Sequence, residues 1–371
     1  MKYDLVIENT AIIDGSGAPA FAGKVAARDG KLYILPEEGD VDAVRKIDAK
    51  GQYTCPGFID PHSHGDVPLG AEYASLSKIS QGITTHVAGM CGFSMFPVNP
   101  ENLGLLQESL GLLGNAFPEE MDTFTSCENF LRYSDTVKRP ENTMFLIGHV
   151  TLRVAVMGYA DRVPEKAELE QMKGLLREAM EHGAAGLSSG LVYVPSAYAQ
   201  EEELAELCKV VAEYGGIYTT HMRDEAAKSI QSLKEAISVA KKTGVRLIIS
   251  HHKIQGRQNW GMSKQTLEVI HQAIAEGVRI SCDQYPYTAS MTHLSVCAPP
   301  KYFTNGLSGM LEYLKDPKMR EEIKREMNDP ATPYDNFYLH AGGWEGVLIS
   351  CAPQYPEAEG KLVSEVAKEK G

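Results

Sequence analysis

The sequence predicts an α/β chain: a small β domain over residues 1–56, then a (β/α)8 TIM-like barrel over residues 57–371 that is C-terminally incomplete. Three observations predict it. Residues 1–56 read as short apolar runs cut by turns. From Gly57 onward, apolar strand-like runs alternate with amphipathic stretches, giving seven strand candidates. After Tyr287 the alternation stops. Near-continuous apolar strands separated by helices indicate a parallel sheet covered on both faces. Seven such units fall one short of a TIM barrel.

In the small domain, Leu5-Val-Ile7 and Ala11-Ile-Ile13 are expected as short strands leading to a turn at Asp14-Gly15. Lys24-Val-Ala-Ala27 should meet Lys31-Leu-Tyr-Ile-Leu35 across Arg28-Asp29-Gly30, a hairpin signal. The barrel strands are expected at 58–64, 83–89, 145–151, 185–191, 217–223, 246–253 and 278–285. Helices are expected at 71–81, 164–182, 201–214, 226–243 and 263–276. The stretch 165–181 carries the clearest period, with Leu169, Met172, Leu175, Leu176 and Met180 on one face. Residues 292–371 read as a long insertion after strand 7. It holds Pro-rich loops, a helical stretch near 307–327, a strand-like 347–350 and a helix over 360–370.

Of the 371 residues, 43% are hydrophobic and 23% charged, which is ordinary globular composition. A net charge of -13 argues against a nucleic-acid partner, which would need basic patches. No apolar stretch is long enough to span a bilayer, and Asp4 and Glu8 interrupt any N-terminal signal region. The seven cysteines are odd in number, scattered and free of any CxxC pair, so a disulfide framework is not expected. A reducing cytoplasm is the simplest location for such a chain.

The sharpest local feature is Pro56-Gly-Phe-Ile-Asp60-Pro-His62-Ser-His64. On a strand, His62 and His64 would face the same way. Two imidazoles at i and i+2 at the end of a barrel strand are placed to bind a metal, although two surface histidines would also give HxH. His221 ends another strand, with Arg223 on its face. His251 and Lys253 share one parity and His252 has the other, so His251 and Lys253 act together or not at all; parity alone does not choose between the histidines. Cys91 lies just after the second strand between glycines. A free cysteine is usually a buried apolar residue, but a thiolate is also a good zinc ligand. Tyr193 follows the fourth strand and offers a hydroxyl to a developing oxyanion. Tyr285 and Tyr287 flank Pro286 after the seventh; each tyrosine taken alone reads more readily as packing. His182 is expected at a helix C-terminus, where a cation is favoured.

The segments GFIDPHSHGD, QGITTHVAGMCGFS, LSSGLVYVPSAYA, THMRDE, ISHHK and DQYPYTAS occur in the order found in N-acyl-D-amino-acid deacylases. The chain resembles that family of the amidohydrolase superfamily over nearly its whole length. The resemblance implies a (β/α)8 barrel beside a small β-sandwich. It implies one tightly bound Zn2+ and leaves open a second, weaker site. His62 and His64 match the weaker metal position. Cys91 matches a cysteine that can bridge two metals. His221 and His251 match the ligands of the tight zinc, with His252 in a place the family often fills with leucine. Tyr193 matches a tyrosine beside the scissile carbonyl. Lys253 and Tyr285 match residues holding the substrate carboxylate, and Arg223 a supporting residue in the same motif.

The resemblance thus implies zinc-dependent hydrolysis of N-acyl-D-amino acids, or of dipeptides with a C-terminal D-residue. Alternatives are another amidohydrolase, such as a dihydroorotase-like cyclic amidase, and a non-catalytic metal-binding or assembly fragment. Two departures stand out. Met291 occupies the place of a serine that commonly helps hold the carboxylate. The family's eighth strand also ends in an SDG motif whose aspartate binds metal and acts as base, and no SDG occurs here. The chain is therefore expected to be a fragment of impaired activity. Its open strand edges would need a homo-oligomeric partner or a separate C-terminal segment to cover them.

Overall fold

The computed structural model describes residues 2–67, 69, 72–111, 113 and 117–371, with the backbone alone for 72–74. The expected helix start at Ala71 lies outside the described residues. The chain divides into two compact units, residues 1–59 with 81–84, and residues 60–80 with 85–371.

The first unit is a five-stranded sheet. β1 (Tyr3–Ile12), β2 (Phe21–Arg28), β3 (Lys31–Leu35) and β4 (Ala43–Asp48) lie in the order β3-β2-β1-β4, and β5 (Tyr53–Thr54) pairs with β1. The expected hairpin forms, pairing Arg28 with Lys31 and Lys24 with Leu35. Its turn residues Asp29 and Gly30 both take positive φ, 50° and 70°, matching the twist of the strands they join. The two short strands expected over 5–13 are in fact one strand of ten residues. Asn9 absorbs a register shift at φ 54°, so a bulge bends the strand without ending its pairing. Among the described residues these five strands form a single sheet.

The second sheet system holds the barrel strands. β6 (Phe58–Asp60), β7 (Ile83–Ala88) and β8 (Asn142–Phe145) form one path. β9 (Ile147–Gly148), β10 (Gly186–Gly190), β11 (Ile217–His221), β12 (Arg246–Ile249) and β13 (Ile280–Cys282) form the other. β8 and β9 are separated only by Leu146, so these strands occupy the seven expected positions. All recorded pairings among them are parallel, from Thr85↔Asn142 through Gly190↔His221 to Ile249↔Cys282. No further strand joins β13 to β6 among the described residues.

Helices follow most strands: α1 (Glu72–Ile79), α2 (Leu103–Leu110), α3 (Cys127–Thr136), α4 (His149–Met157), α5 (Lys166–Glu181), α6 (Glu201–Glu213), α7 (Ser229–Thr243) and α8 (Ser263–Ala275). α5 buries Met172, Leu176, Ala179 and Met180, and His182 caps it with Nδ1 2.9 Å from the Glu178 carbonyl. The strand expected to run to residue 151 stops at Gly148, because α4 begins at His149. The late region carries α9 (Gly306–Lys315), α10 (Pro317–Met327), α11 (Phe337–His340) and α12 (Val363–Lys370). The single helical stretch expected near 307–327 is thus two helices. Asp316 caps the second through Lys318 N, and Pro317 occupies its first turn. The strand expected at 347–350 is reduced to one bridge, Leu348↔Leu362. All seven cysteines are free thiols. No helix of the described residues is long and apolar enough to cross a membrane.

Candidate metal centre

The residues of interest lie where the parallel strands end. β6 stops at Asp60, so His62 and His64 sit on the following turn rather than on the strand expected to 64. Pro61 lacks an N–H for the ladder. Asp60 instead accepts a bond from His62 N at 3.0 Å and an ion pair from Lys78 at 2.7 Å. The turn still brings the two rings together, 5.7 Å apart.

β7 ends at Ala88, and the chain then bends through Gly89, Cys91 and Gly92, all at positive φ. A side chain at Gly89 would lie 2.3 Å from the Leu146 carbonyl oxygen, so only glycine permits this approach. The bend delivers Cys91 Sγ to 3.4 Å from His62 Nε2 and 3.5 Å from His251 Nε2. His221 is the last residue of β11. His251 lies two residues beyond β12, at φ 35°, with its N–H bonded to Asp283 Oδ1 at 2.6 Å.

Two donor triads result, His62–His64–Cys91 and Cys91–His221–His251, each with its ligand atoms within 4.8 Å of one another. Cys91 belongs to both. His64 Nδ1 and His221 Nδ1 are buried without a hydrogen-bond partner, which is costly unless something fills the place. Sulfur and imidazole nitrogen donors at this spacing fit zinc.

The electrostatics are those of a site that holds protons where a cation would go. Burial works against every charged form here. It is outweighed at Cys91, whose thiol is held well below its usual range by His62 and His251. His62, against burial, is raised to about 10 by Cys91 and Asp283. His251 is likewise raised to about 9, by Glu225 and Cys91. Burial prevails at His221, which is lowered. Metal binding displaces such protons.

The other expected residues surround this centre unevenly. The Tyr193 ring lies 5.1 Å from that of His221, and its hydroxyl is 3.2 Å from Thr292 Oγ1. Burial, and after it Cys91, pushes the phenol pKa up. Lys253 Nζ is 2.9 Å from His251 Nδ1 and 5.6 Å from the centre of the Tyr285 ring. Tyr193, His251, Lys253, Tyr285 and Thr292 line a cavity of about 2240 Å³. Arg223 also reaches its wall, but its guanidinium is taken up by Glu235 at 2.8 Å and by the carbonyls of Ala197 and Ala199 at 2.9 Å. Met291 is 74% exposed, while the neighbouring Thr292 supplies the hydroxyl at Tyr193. His252 turns away, with Nε2 3.0 Å from Thr266.

Sequence reasoning did not single out two carboxylates at the site. Asp283 lies 3.1 Å from His62 Nδ1. Glu225 is fully buried, with one oxygen 2.9 Å from His251 Nδ1 and the other 2.5 Å from Lys253 Nζ. Both sit inside the motifs DQYPYTAS and THMRDE, but nothing in a sequence says that a loop carboxylate is buried.

Residues 45–322 match the model of the amidohydrolase family. An N-acyl-D-aspartate deacylase from Alcaligenes xylosoxydans xylosoxydans is 38% identical over 295 residues, covering 79% of this chain and 58% of that protein. The chain thus spans under three fifths of the length of that relative. A solved N-acyl-D-glutamate deacylase from Bordetella bronchiseptica, complexed with zinc and a phosphonate mimic of the tetrahedral intermediate, superposes with a TM-score of 0.80. It is 31% identical, and the match covers all of this chain and 68% of that one. A D-aminoacylase studied for its binuclear metal centre gives a TM-score of 0.77 at 31% identity, with the same coverage. The fold is therefore the TIM-barrel type of these enzymes.

Proposed function

The chain belongs to the amidohydrolase family, and we propose that it serves zinc-dependent hydrolysis of the amide bond of N-acyl-D-amino acids. The observation that carries this reading is the pair of donor triads meeting at Cys91, beside Tyr193 and Lys253. Cys91, His221 and His251 would hold the first zinc, and His62 and His64 would share Cys91 with a second. When bound, zinc acts as a Lewis acid and lowers the pKa of its water to about 7.

The chain's own residues supply binding and orientation. A raised pKa keeps Tyr193 protonated at neutral pH, so its hydroxyl can donate to the oxygen that gains charge as the amide carbonyl is attacked. The Lys253 ammonium, over the Tyr285 ring, offers a charge-assisted contact to the free carboxylate of the amino acid. Arg223 acts at one remove. It ties the 197–199 loop to Glu235 on α7 and so steadies the wall beyond Tyr193.

Steady-state kinetics on N-acetyl-D- and N-acetyl-L-amino acids test the reading. Turnover should favour the D-enantiomers. Lys253→Met should raise KM on the order of 10-fold or more for substrates with a free carboxylate, with kcat less affected. Tyr193→Phe should lower kcat by about 10²-fold, as expected for loss of one oxyanion donor. Equal rates on both enantiomers, or KM values indifferent to the carboxylate, would overturn it.

A further inference from the structure

The geometry points to Glu225 as a positioning residue that sets the metal-facing nitrogen of His251 and the ammonium of Lys253 with one carboxylate. This inference rests on the deacylase reading for the role of Lys253, but its metal arm stands without it.

Glu225 lies four residues after His221, with none of its surface exposed. Oε1 is 2.9 Å from His251 Nδ1, and Oε2 is 2.5 Å from Lys253 Nζ. Oε2 also lies 3.4 Å from His221 Nε2. The carboxylate is itself held. Gln255 Nε2 donates to Oε2 at 2.9 Å, Gln255 N donates to the Glu225 carbonyl at 2.8 Å, and Glu225 N donates to Asp335 Oδ2 at 3.1 Å.

The chemistry of the groups decides the proton positions. A neutral imidazole carries its proton on one nitrogen. Nδ1 faces both Glu225 Oε1 and Lys253 Nζ, each at 2.9 Å. Oε1 is buried and has no other hydrogen-bond partner, so Nδ1, in ion-pair reach of it, is the nitrogen that keeps the proton. The ammonium has no lone pair to receive that proton, so its partner is Oε2. The Nζ–Nδ1 approach follows from two donors converging on one acceptor group. Once a metal displaces the second proton, the one kept on Nδ1 would leave the lone pair of Nε2 toward Cys91 Sγ, 3.5 Å away, where the metal would bind. His251 and Lys253 are two residues apart, and only an acceptor with two oxygens serves both.

Glu225→Gln separates positioning from packing. Glutamine keeps the size but has one acceptor oxygen, so an NH2 must face either His251 Nδ1–H or Lys253. Competition with a chromophoric chelator should show zinc affinity falling about 10- to 100-fold, the usual cost of losing a carboxylate partner of a metal-bound histidine. KM for N-acetyl-D-amino acids should rise together with it. Lys253→Met should raise KM while leaving zinc affinity near that of the unaltered chain. Glu225→Asp keeps the charge on a shorter arm and should recover part of the zinc affinity. Circular dichroism confirms that each variant is folded. A folded Glu225→Gln chain with unchanged zinc affinity overturns the inference, and so does a loss of zinc affinity that Glu225→Asp does not ease. Equal turnover of the two enantiomers would overturn the deacylase reading alone, because the zinc measurement does not depend on turnover.

Discussion

The two donor triads share Cys91 but stand on different scaffolds. In the inner one, His221 ends β11, which is paired on both sides, by β10 and β12, and is buried along nearly its whole length. Its partner His251 is fixed through Nδ1 by Glu225 and through its backbone by Asp283. The outer triad depends on the turn after β6. That strand lies at the end of its sheet path, with Phe58 58% and Ile59 65% exposed. The same ligand chemistry is thus held by a buried frame on one side and by a turn on the other. A donor locked by its surroundings loses less freedom when it binds a metal. On this ground we propose that the inner triad would be the tighter site and the outer one the weaker.

The largest effects should come from the shared and inner ligands. Cys91→Ala removes a donor from both triads and should abolish stoichiometric zinc, as measured by elemental analysis after dialysis. His221→Ala should do nearly as much. His64→Ala should leave at least one zinc bound and reduce only the second, weaker equivalent. If His64→Ala empties the protein while His221→Ala does not, the ranking of the two triads is reversed.

An intermediate effect should appear with acid. The outer turn leans on His86 of β7, whose Nδ1 is 3.0 Å from Ser63 Oγ and whose Nε2 is 2.8 Å from Thr143 Oγ1. Burial, and then Lys78, lowers the His86 pKa to about 4. A folded-state value below the unfolded 6.5 means the unfolded chain takes up the proton first. Stability from this group is complete above pH 6.5 and is lost as pH falls toward 4. The loss is about 2 kcal/mol by pH 5. Urea titrations at pH 7.5 and 5 of the metal-free chain and of His86→Asn should isolate it: the raised His62 and His251 act alike in both, and the unaltered chain should lose about 2 kcal/mol relative to the variant. A pH difference unchanged by that substitution would remove His86 as its source.

The sequence makes the buried frame legible more readily than the turns. β10 and β11 read GLSSG and IYTTH, buried but hardly apolar; their places between amphipathic helices mark them, and their ends place Tyr193 and His221. The overrun at 145–151 has a physical cause. α4 is buried over seven consecutive residues, so its sequence carries no face that would mark the change from strand to helix. The break at Asp316-Pro317 was present in the sequence, as an N-cap followed by proline. His62 and His64 do come together, although for a different reason than strand alternation. Thiolate chemistry left a ligand reading of Cys91 open, and only the family resemblance chose it, because its left-handed backbone and the close approach at Gly89 are long-range properties. Glu225 and Asp283 were hidden for the same reason: burial makes them partners of histidines, and burial is decided by strands far away in the chain.

The smallest effect should fall on His252, and it gives the sharpest control. His251 and His252 are adjacent and of one type, so composition and charge cannot separate them. The backbone does. At His251 the left-handed φ of 35° directs the ring toward Cys91 and Glu225. One residue later the side chain lies on the other side, and its Nε2 meets Thr266 of α8. Burial lowers the His252 pKa, so it is a neutral hydrogen-bonding residue at pH 7. His252→Ala removes one buried hydrogen bond and some packing, a stability cost of about 1 kcal/mol. Zinc content and the affinity of the first zinc should stay as they are. His251→Ala, by contrast, should remove a ligand together with the group that Glu225 orients. If His252→Ala stripped zinc from a folded chain as thoroughly as His251→Ala, the turn after β12 would have to present the other ring to the metal, and the contrast between a locked inner triad and a loose outer one would lose its anchor.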